Sequence, residues 1–250
     1  MTVKTKAPRR VNHDEHEQHE HTHDLQEIHE DVPPDFYDTS VKSNLIQRYW
    51  HGRRFKEVAR LATKVDGRLL DVGCDGGTLT EKVAARARPE RVVGVDISAK
   101  SLAYTITRRP QFDLAVGDAE ELPFRDATFA AIFCSEVMEH LVSPEKMLSE
   151  VRRCLTPTGY AVVMVPAETP LFKFLWFFWT KFGKGKVWDH AHVQDFGGKS
   201  LDRIVKSAGF RVLQDKRFLG GMVRALKIAP ASPVLSQIPV PAGRSESYLP

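Results

Sequence analysis

Three cysteines in 250 residues, Cys74, Cys134 and Cys154, are too few and too scattered for a disulfide framework, and no CxxC spacing is present to hold zinc. No apolar run approaches the roughly 20 residues that cross a bilayer. The basic first residues are not followed by the apolar stretch of a secretory leader. A cytoplasmic protein is therefore expected, with peripheral membrane contact left open. The first 35 residues are poor in apolar side chains and carry neither a helical nor a strand period. They cannot bury enough surface to offset the entropy of ordering and are expected to be disordered. The Pro- and Ser-rich residues 230–250 read the same way.

Charge is unevenly spread. Residues 1–35 hold four basic against nine acidic side chains, a net −5, which leaves +9 to the remainder of a chain whose total is +4. A basic body suits an anionic partner, either nucleic acid or an acidic lipid surface, although ordinary solubility charge gives the same balance. His13, His16, His19, His21, His23 and His29 stand among the acids of the tail. Imidazoles at that spacing bind transition metals weakly, yet the better reading is a solvated, pH-responsive segment, and no metal site is assigned.

Between the tails, residues 36–229 alternate short β-branched runs with helical periods, the pattern of a parallel α/β sheet. Strands are predicted at 68–72, 91–95, 113–116, 128–134, 160–165, 210–217 and 222–228. Helices are predicted at 40–64, 78–87, 98–107, 144–155 and 200–208, with a turn at Pro157-Thr158-Gly159. Gly220-Gly221 joins the last two strands as a hairpin, so the final strand should be antiparallel. The expectation is a Rossmann-like, seven-stranded, mostly parallel sheet with helices on both faces.

Leu69-Leu70-Asp71-Val72-Gly73-Cys74-Asp75-Gly76-Gly77 runs from a buried strand into a helix start, where glycines admit a ligand close to the backbone. Alone, such a turn fits nucleotide-binding domains in general. Val92-Val93-Gly94-Val95-Asp96 adds an acid at the end of the next strand, suited to accept hydrogen bonds from two ribose hydroxyls. A dinucleotide-binding enzyme has the same acid, so the cofactor is still open at this point.

Two further stretches narrow it: Gly117-Asp118-Ala119-Glu120-Glu121-Leu122-Pro123-Phe124, and the run from Phe129 through Ser135-Glu136-Val137-Met138-Glu139-His140-Leu141. With Val151 to Gly159 behind them, these motifs resemble the class I S-adenosylmethionine (SAM)-dependent methyltransferases of the ubiquinone/menaquinone-biosynthesis type. The resemblance is close over 66–166 and looser to about 229. It implies SAM as cofactor, with Asp71 and Gly73 cradling the methionine part, Asp71 reaching its amine, and Cys74 and Gly77 of the same loop also in the cofactor site. It further implies Asp96 on the ribose, Ile97 packed on adenine, Asp118 and Ala119 beside the adenine edge, and Ser135 facing the methionyl group. Asp75 stands where the family has a second glycine, and Gly76 is expected to supply the permissive backbone position.

Methyl transfer asks mainly for positioning and exclusion of water, and a general base only when the acceptor must lose a proton. His140 and His192 are the candidates, against the alternative that both are structural or surface residues. Glu136 and Glu139 read as solvent-facing or helix-start acids. An insertion at 167–197 carries Leu171-Phe172-Lys173-Phe174-Leu175-Trp176-Phe177-Phe178-Trp179, followed by Lys181, Lys184 and Lys186. Rings flanked by lysines suit a membrane interface, and a loop at this place covers the acceptor site in the fold the resemblance implies. A packed helix or a dimer contact is the competing reading. The sequence therefore points to a small, hydrophobic or lipid-linked acceptor and a peripheral anionic membrane contact. Methylation of RNA or protein, and a non-catalytic SAM-binding or metal-handling role, are kept as alternatives. No nucleic acid is expected, since no RNA-binding module or interleaved basic–aromatic face stands outside the insertion.

Overall fold

The computed structural model describes residues 45–167 and 200–231, with residues 33, 35, 36, 38, 39, 169 and 196. The expectations for most of the first 35 residues, for 171–192 with its rings, lysines and His192, and for 232–250 lie outside the described residues.

Seven strands form one sheet: β1 (Arg68–Val72), β2 (Arg91–Asp96), β3 (Asp113–Val116), β4 (Phe129–Ser135), β5 (Leu155–Pro166), β6 (Phe210–Phe218) and β7 (Val223–Pro230). Their order is β3-β2-β1-β4-β5-β7-β6. All pairings among β1 to β5 are parallel, whereas β7 runs antiparallel to both neighbours. The expected hairpin is present, with Leu219, Gly220 and Gly221 all at positive φ between its strands. The helices are α1 (Leu45–Leu61), α2 (Thr78–Ala87), α3 (Ala99–Arg108), α4 (Pro144–Cys154) and α5 (Ser200–Ser207), with a 3₁₀ turn at Met138–His140.

Strand side chains alternate between faces, and the core divides accordingly. Leu70, Val72, Ile132, Cys134, Val163 and Val165 pack with Met147, Leu148 and Val151 of α4 and Leu201 and Val205 of α5. Their neighbours in sequence, Leu69, Ala131, Phe133, Val162 and Met164, pack with Val58 and Leu61 of α1 and Val83 and Ala87 of α2. Both faces are thus closed by helices, and what stays open is the rim of the sheet.

One predicted turn is absorbed into a strand. Pro157-Thr158-Gly159 belongs to β5, where the register jumps from Phe129–Leu155 to Ala131–Tyr160. The backbones approach so closely there that a Cβ on Gly159 would lie 2.8 Å from the Ala130 carbonyl oxygen. Turn-forming residues thus make a bulge, because pairing with β4 satisfies the backbone better than a free loop would.

Candidate cofactor site

The chain moves from β1 outward through β2 to β3, then crosses back to β4 on the other side of β1. Ligands of open α/β sheets bind at the carboxyl ends of strands flanking such a reversal. Asp71 on β1, Asp96 on β2 and Ser135 on β4 all lie at those ends.

The loop after β1 is drawn against both neighbours. The N–H groups of Gly73 and Cys74 donate to the Val95 carbonyl at 2.8 and 3.2 Å. A Cβ on Gly73 (φ 70°) would lie 2.3 Å from Val137 Cγ2, so only glycine lets the loop sit against the segment after β4. Gly94 likewise makes room for the Cys74 thiol, which would be 2.7 Å from an added Cβ. Cys74 is buried, and burial with the nearby carboxylates pushes its pKa well above the ordinary thiol value, so it packs as a neutral group.

The permissive backbone position is not at Gly76. Asp75 itself takes the left-handed conformation at φ 41°, and Gly77 follows at 77° as the cap of α2. Asp75 tolerates this because it is held on three sides. Its N–H donates to Asp96 Oδ2 at 2.8 Å, its Oδ1 accepts from the Ser101 hydroxyl at 2.8 Å, and its carbonyl accepts from Thr105 at 2.7 Å. Arg109 continues the series, donating from Nη1 to the Gly76 carbonyl at 2.6 Å and from Nη2 to Glu81 at 3.1 Å. Ser101, Thr105 and Arg109 are spaced four apart, so they form one stripe along α3 and its cap, directly under the loop.

A helical turn around Asp38 closes this side. Asp38 accepts from the Thr78 hydroxyl at 2.6 Å and the Tyr104 hydroxyl at 2.8 Å, and its carboxylate lies 3.6 Å from Arg109. These partners were missed in the sequence, although the polar i, i+4, i+8 pattern of Ser101, Thr105 and Arg109 was a usable signal.

The site concentrates negative charge. Asp71 is 3% exposed, and burial raises its pKa to about 7. The Thr80 hydroxyl, donating to Oδ2 at 2.6 Å, partly offsets this, and Asp96 adds to it. Burial, with smaller contributions from Asp96 and Asp38, likewise raises Asp75 to about 6. Asp96 Oδ1 accepts from the Ser98 N–H at 2.9 Å, which fixes the carboxylate plane beside half-buried Ile97. Past β3, Asp118 folds its own loop by accepting the Glu120 N–H at 2.8 Å, with Ala119 packed on the core.

Two buried oxygens, Asp75 Oδ2 and Ser135 Oγ, have no hydrogen-bond partner among the described residues. Three crowded carboxylic groups, a lone hydroxyl and the positive end of α2 fit a ligand carrying cationic groups, hydroxyls and one carboxylate. The residues present therefore suit SAM, whose amine, sulfonium, ribose and carboxylate are such groups.

The segment after β4 differs from expectation. Glu136, at φ 58°, pairs with buried Arg54 of α1, and Glu139 is 1% exposed, so neither faces solvent, while Glu139 does stand in the first turn of the 3₁₀ helix, the helix-start alternative. His140 is buried on the 3₁₀ turn, its N–H donating to the Val137 carbonyl at 3.0 Å. His51 of α1, 3.2 Å from Arg54 Nη1 through Nδ1, was also missed. Burial, then the Arg54 charge, lowers its pKa to about 3. A guanidinium only donates, so Nδ1 accepts and the neutral ring carries its proton on Nε2.

Comparison with known proteins agrees with this geometry. Residues 46–215 match the methyltransferase domain family. A "probable S-adenosylmethionine-dependent methyltransferase" of Mycolicibacterium smegmatis is 29% identical over 167 residues, covering 66% of this chain and 61% of that one. The demethylmenaquinone methyltransferase of Symbiobacterium thermophilum is 35% identical over 135 residues, covering 51% of this chain and 52% of its own length. The chain thus spans between about half and three fifths of these two relatives. Among solved structures, the magnesium protoporphyrin IX methyltransferase of Synechocystis PCC 6803, with bound S-adenosylhomocysteine, superposes with a TM-score of 0.63 at 15% identity, covering 83% of this chain and 99% of that one. The strand order, the glycine-rich loop facing an acid on β2 and the match across 46–215 lead to one conclusion: the chain belongs to the class I SAM-dependent methyltransferase family.

Proposed function

We propose that this protein transfers a methyl group from SAM to a small, hydrophobic or lipid-linked acceptor. The observation that carries the reading is the loop bound to Asp96, with unpartnered Asp75 and Ser135 oxygens around a glycine-lined floor. Bound SAM supplies a methyl group already activated on a sulfonium. Asp96 and Ile97 would then hold the ribose and adenine, with Asp118 and Ala119 at the adenine edge. Asp71, Gly73, Cys74 and Gly77 would line the methionine part, and Ser135 would face it from β4. The chain's remaining work is alignment and the exclusion of water, which the burial of Met138 and His140 just past β4 favours. His140 is retained as the described candidate for removing an acceptor proton, with His192 as the second.

The acceptor class rests on the quinone-type relatives. Besides the enzyme above, the 2-phytyl-1,4-naphtoquinone methyltransferase of Thermosynechococcus vestitus is 30% identical over 172 residues, covering 62% of this chain and 76% of that one. The test is incubation with methyl-labelled SAM and a fractionated cell extract in detergent. Label is expected in the lipid fraction, and a folded Asp96→Ala variant is expected to lose it. Label confined to RNA or protein would overturn the acceptor class.

A further inference from the structure

Helix α1 lies against the sheet so that its two ends mark the two rims. Just past its carboxyl end, Thr63 is bound to Tyr160 of β5 near the amino-terminal edge of the sheet. Higher up, Arg54 meets Glu136 immediately beyond the carboxyl end of β4. The nine residues ahead of Arg54 continue the helix for about 13 Å along its axis, on the side of the rim that holds the cofactor site. On this stretch Leu45 is 74%, Ile46 81% and Tyr49 67% exposed. At 100° per residue, Leu45, Tyr49, Arg53, Lys56 and Arg60 share one side of the helix, with Ile46 beside them. Arg48, Arg53, Lys56 and Arg60 are all exposed. Glu57 is the acid within α1, its side chain 7% exposed, and it already faces Arg53, Arg60 and Lys216. The outer side of α1 thus carries an apolar tip at the site rim and a surplus of positive charge behind it.

We propose that this side of α1 is a docking surface for an anionic lipid bilayer, which sets the cofactor site at the membrane where a lipid-linked acceptor resides. The proposal rests on the acceptor class argued above, but on different residues from the aromatic segment 171–179. Charge complementarity selects the occupant. A second copy packed on the same face would bring two sets of Arg53, Lys56 and Arg60 together with Glu57 the acid within either helix, and like charges across an interface oppose association. A bilayer instead receives the three apolar side chains at the acyl boundary and the cations among anionic headgroups.

The experiment is co-sedimentation of the full chain with phosphatidylcholine vesicles, with and without phosphatidylglycerol. Binding to the anionic vesicles only is expected. A Leu45→Ser/Ile46→Ser/Tyr49→Ser variant should lose about tenfold or more of that affinity. An Arg48→Gln/Arg53→Gln/Lys56→Gln variant should lose roughly fivefold per residue at low salt and less at high salt. Both should keep wild-type SAM affinity by calorimetry and wild-type turnover of acceptor in detergent. If the serine variant unfolds, the glutamine variant and its salt dependence carry the test. Wild-type protein that ignores anionic vesicles overturns the proposal, as do variants that bind like wild type, which would place any membrane contact elsewhere in the chain. A dimer dissolved by the substitutions overturns it in favour of a second copy. Label entering RNA or protein while vesicle binding follows α1 would instead remove the acceptor reading and leave the surface standing.

Discussion

Asp71 is a buried acid whose protonation ties the stability of the fold to pH. Its pKa in the folded chain is about 7, against 3.8 for an ordinary aspartate. The folded state therefore holds the proton more tightly, and this group's contribution is complete below about pH 4 and lost as pH rises through 7. Asp71→Asn keeps a neutral acceptor for the Thr80 hydroxyl and has no charge to bury. Without ligand, its thermal midpoint should exceed that of the parent by roughly 2–6 °C at pH 8, with the difference narrowing as pH falls and vanishing only below about pH 4. A nearby cation favours the ionised form, so the same substitution should weaken SAM binding by about tenfold at pH 8. Thermal melts across pH and calorimetry check the two signs separately. A variant no more stable than the parent at pH 8 would show that Asp71 is not a strained acid.

At the scale of elements, α3 does more than cover the sheet. Its Ser101 and Thr105, with Arg109 just past its end, hold the loop of residues 75–77 in place, while Asp38 reaches the same arginine and Thr78 from the N-terminal side. This explains how an aspartate occupies a left-handed position that favours glycine. Three hydrogen bonds at about 0.5–1.5 kcal/mol each outweigh a backbone penalty of roughly 1–2 kcal/mol. Arg109→Ala should weaken SAM affinity by about tenfold while changing kcat less, because the loop loses its anchor and the reacting atoms do not. Arg109→Lys should restore little, since a single ammonium cannot reach Gly76, Glu81 and Asp38 together. Calorimetry beside urea denaturation distinguishes the cases. Lost stability with intact SAM affinity would show that the loop keeps its shape unaided.

For the whole molecule, we propose that the working unit begins near Asp35. Asp38 is tied to α2 and α3, whereas the sequence before Asp35 is acidic and His-rich with neither a helical nor a strand period. A chain beginning at Asp35 should therefore keep the SAM affinity and turnover of the full chain in metal-free buffer. A chain beginning at Leu45 should bind SAM about threefold to tenfold more weakly, since it lacks the Asp38 contacts. Collapse of turnover in the longer truncation, rescued by zinc or nickel, would assign the tail to the active machinery.

Strand and helix positions were legible in the amino-acid order, because a sheet buried on both faces demands short apolar runs such as Phe129–Cys134 and Tyr160–Val165, and helices demand their own period. The last strand's direction followed from Gly220-Gly221, since so short a connection joins only antiparallel strands. The loop glycines and Asp96 were legible for the same local reason: a tight turn at a strand end restricts the residues that fit. Residues that act across the chain were not. Arg109 lies 33 positions from the carbonyl it holds, and Arg54 and Glu136 are an ion pair only because α1 packs beside the end of β4. Glu136 and Glu139 read as solvent-facing or helix-start acids, and their burial depends on surroundings that local sequence does not report. Periodicity reports which side of an element is apolar, and local chemistry reports where the backbone must turn. Which polar groups meet, and how far burial moves the proton affinity of Asp71 or His51, depends on distances and desolvation that only the packed structure determines.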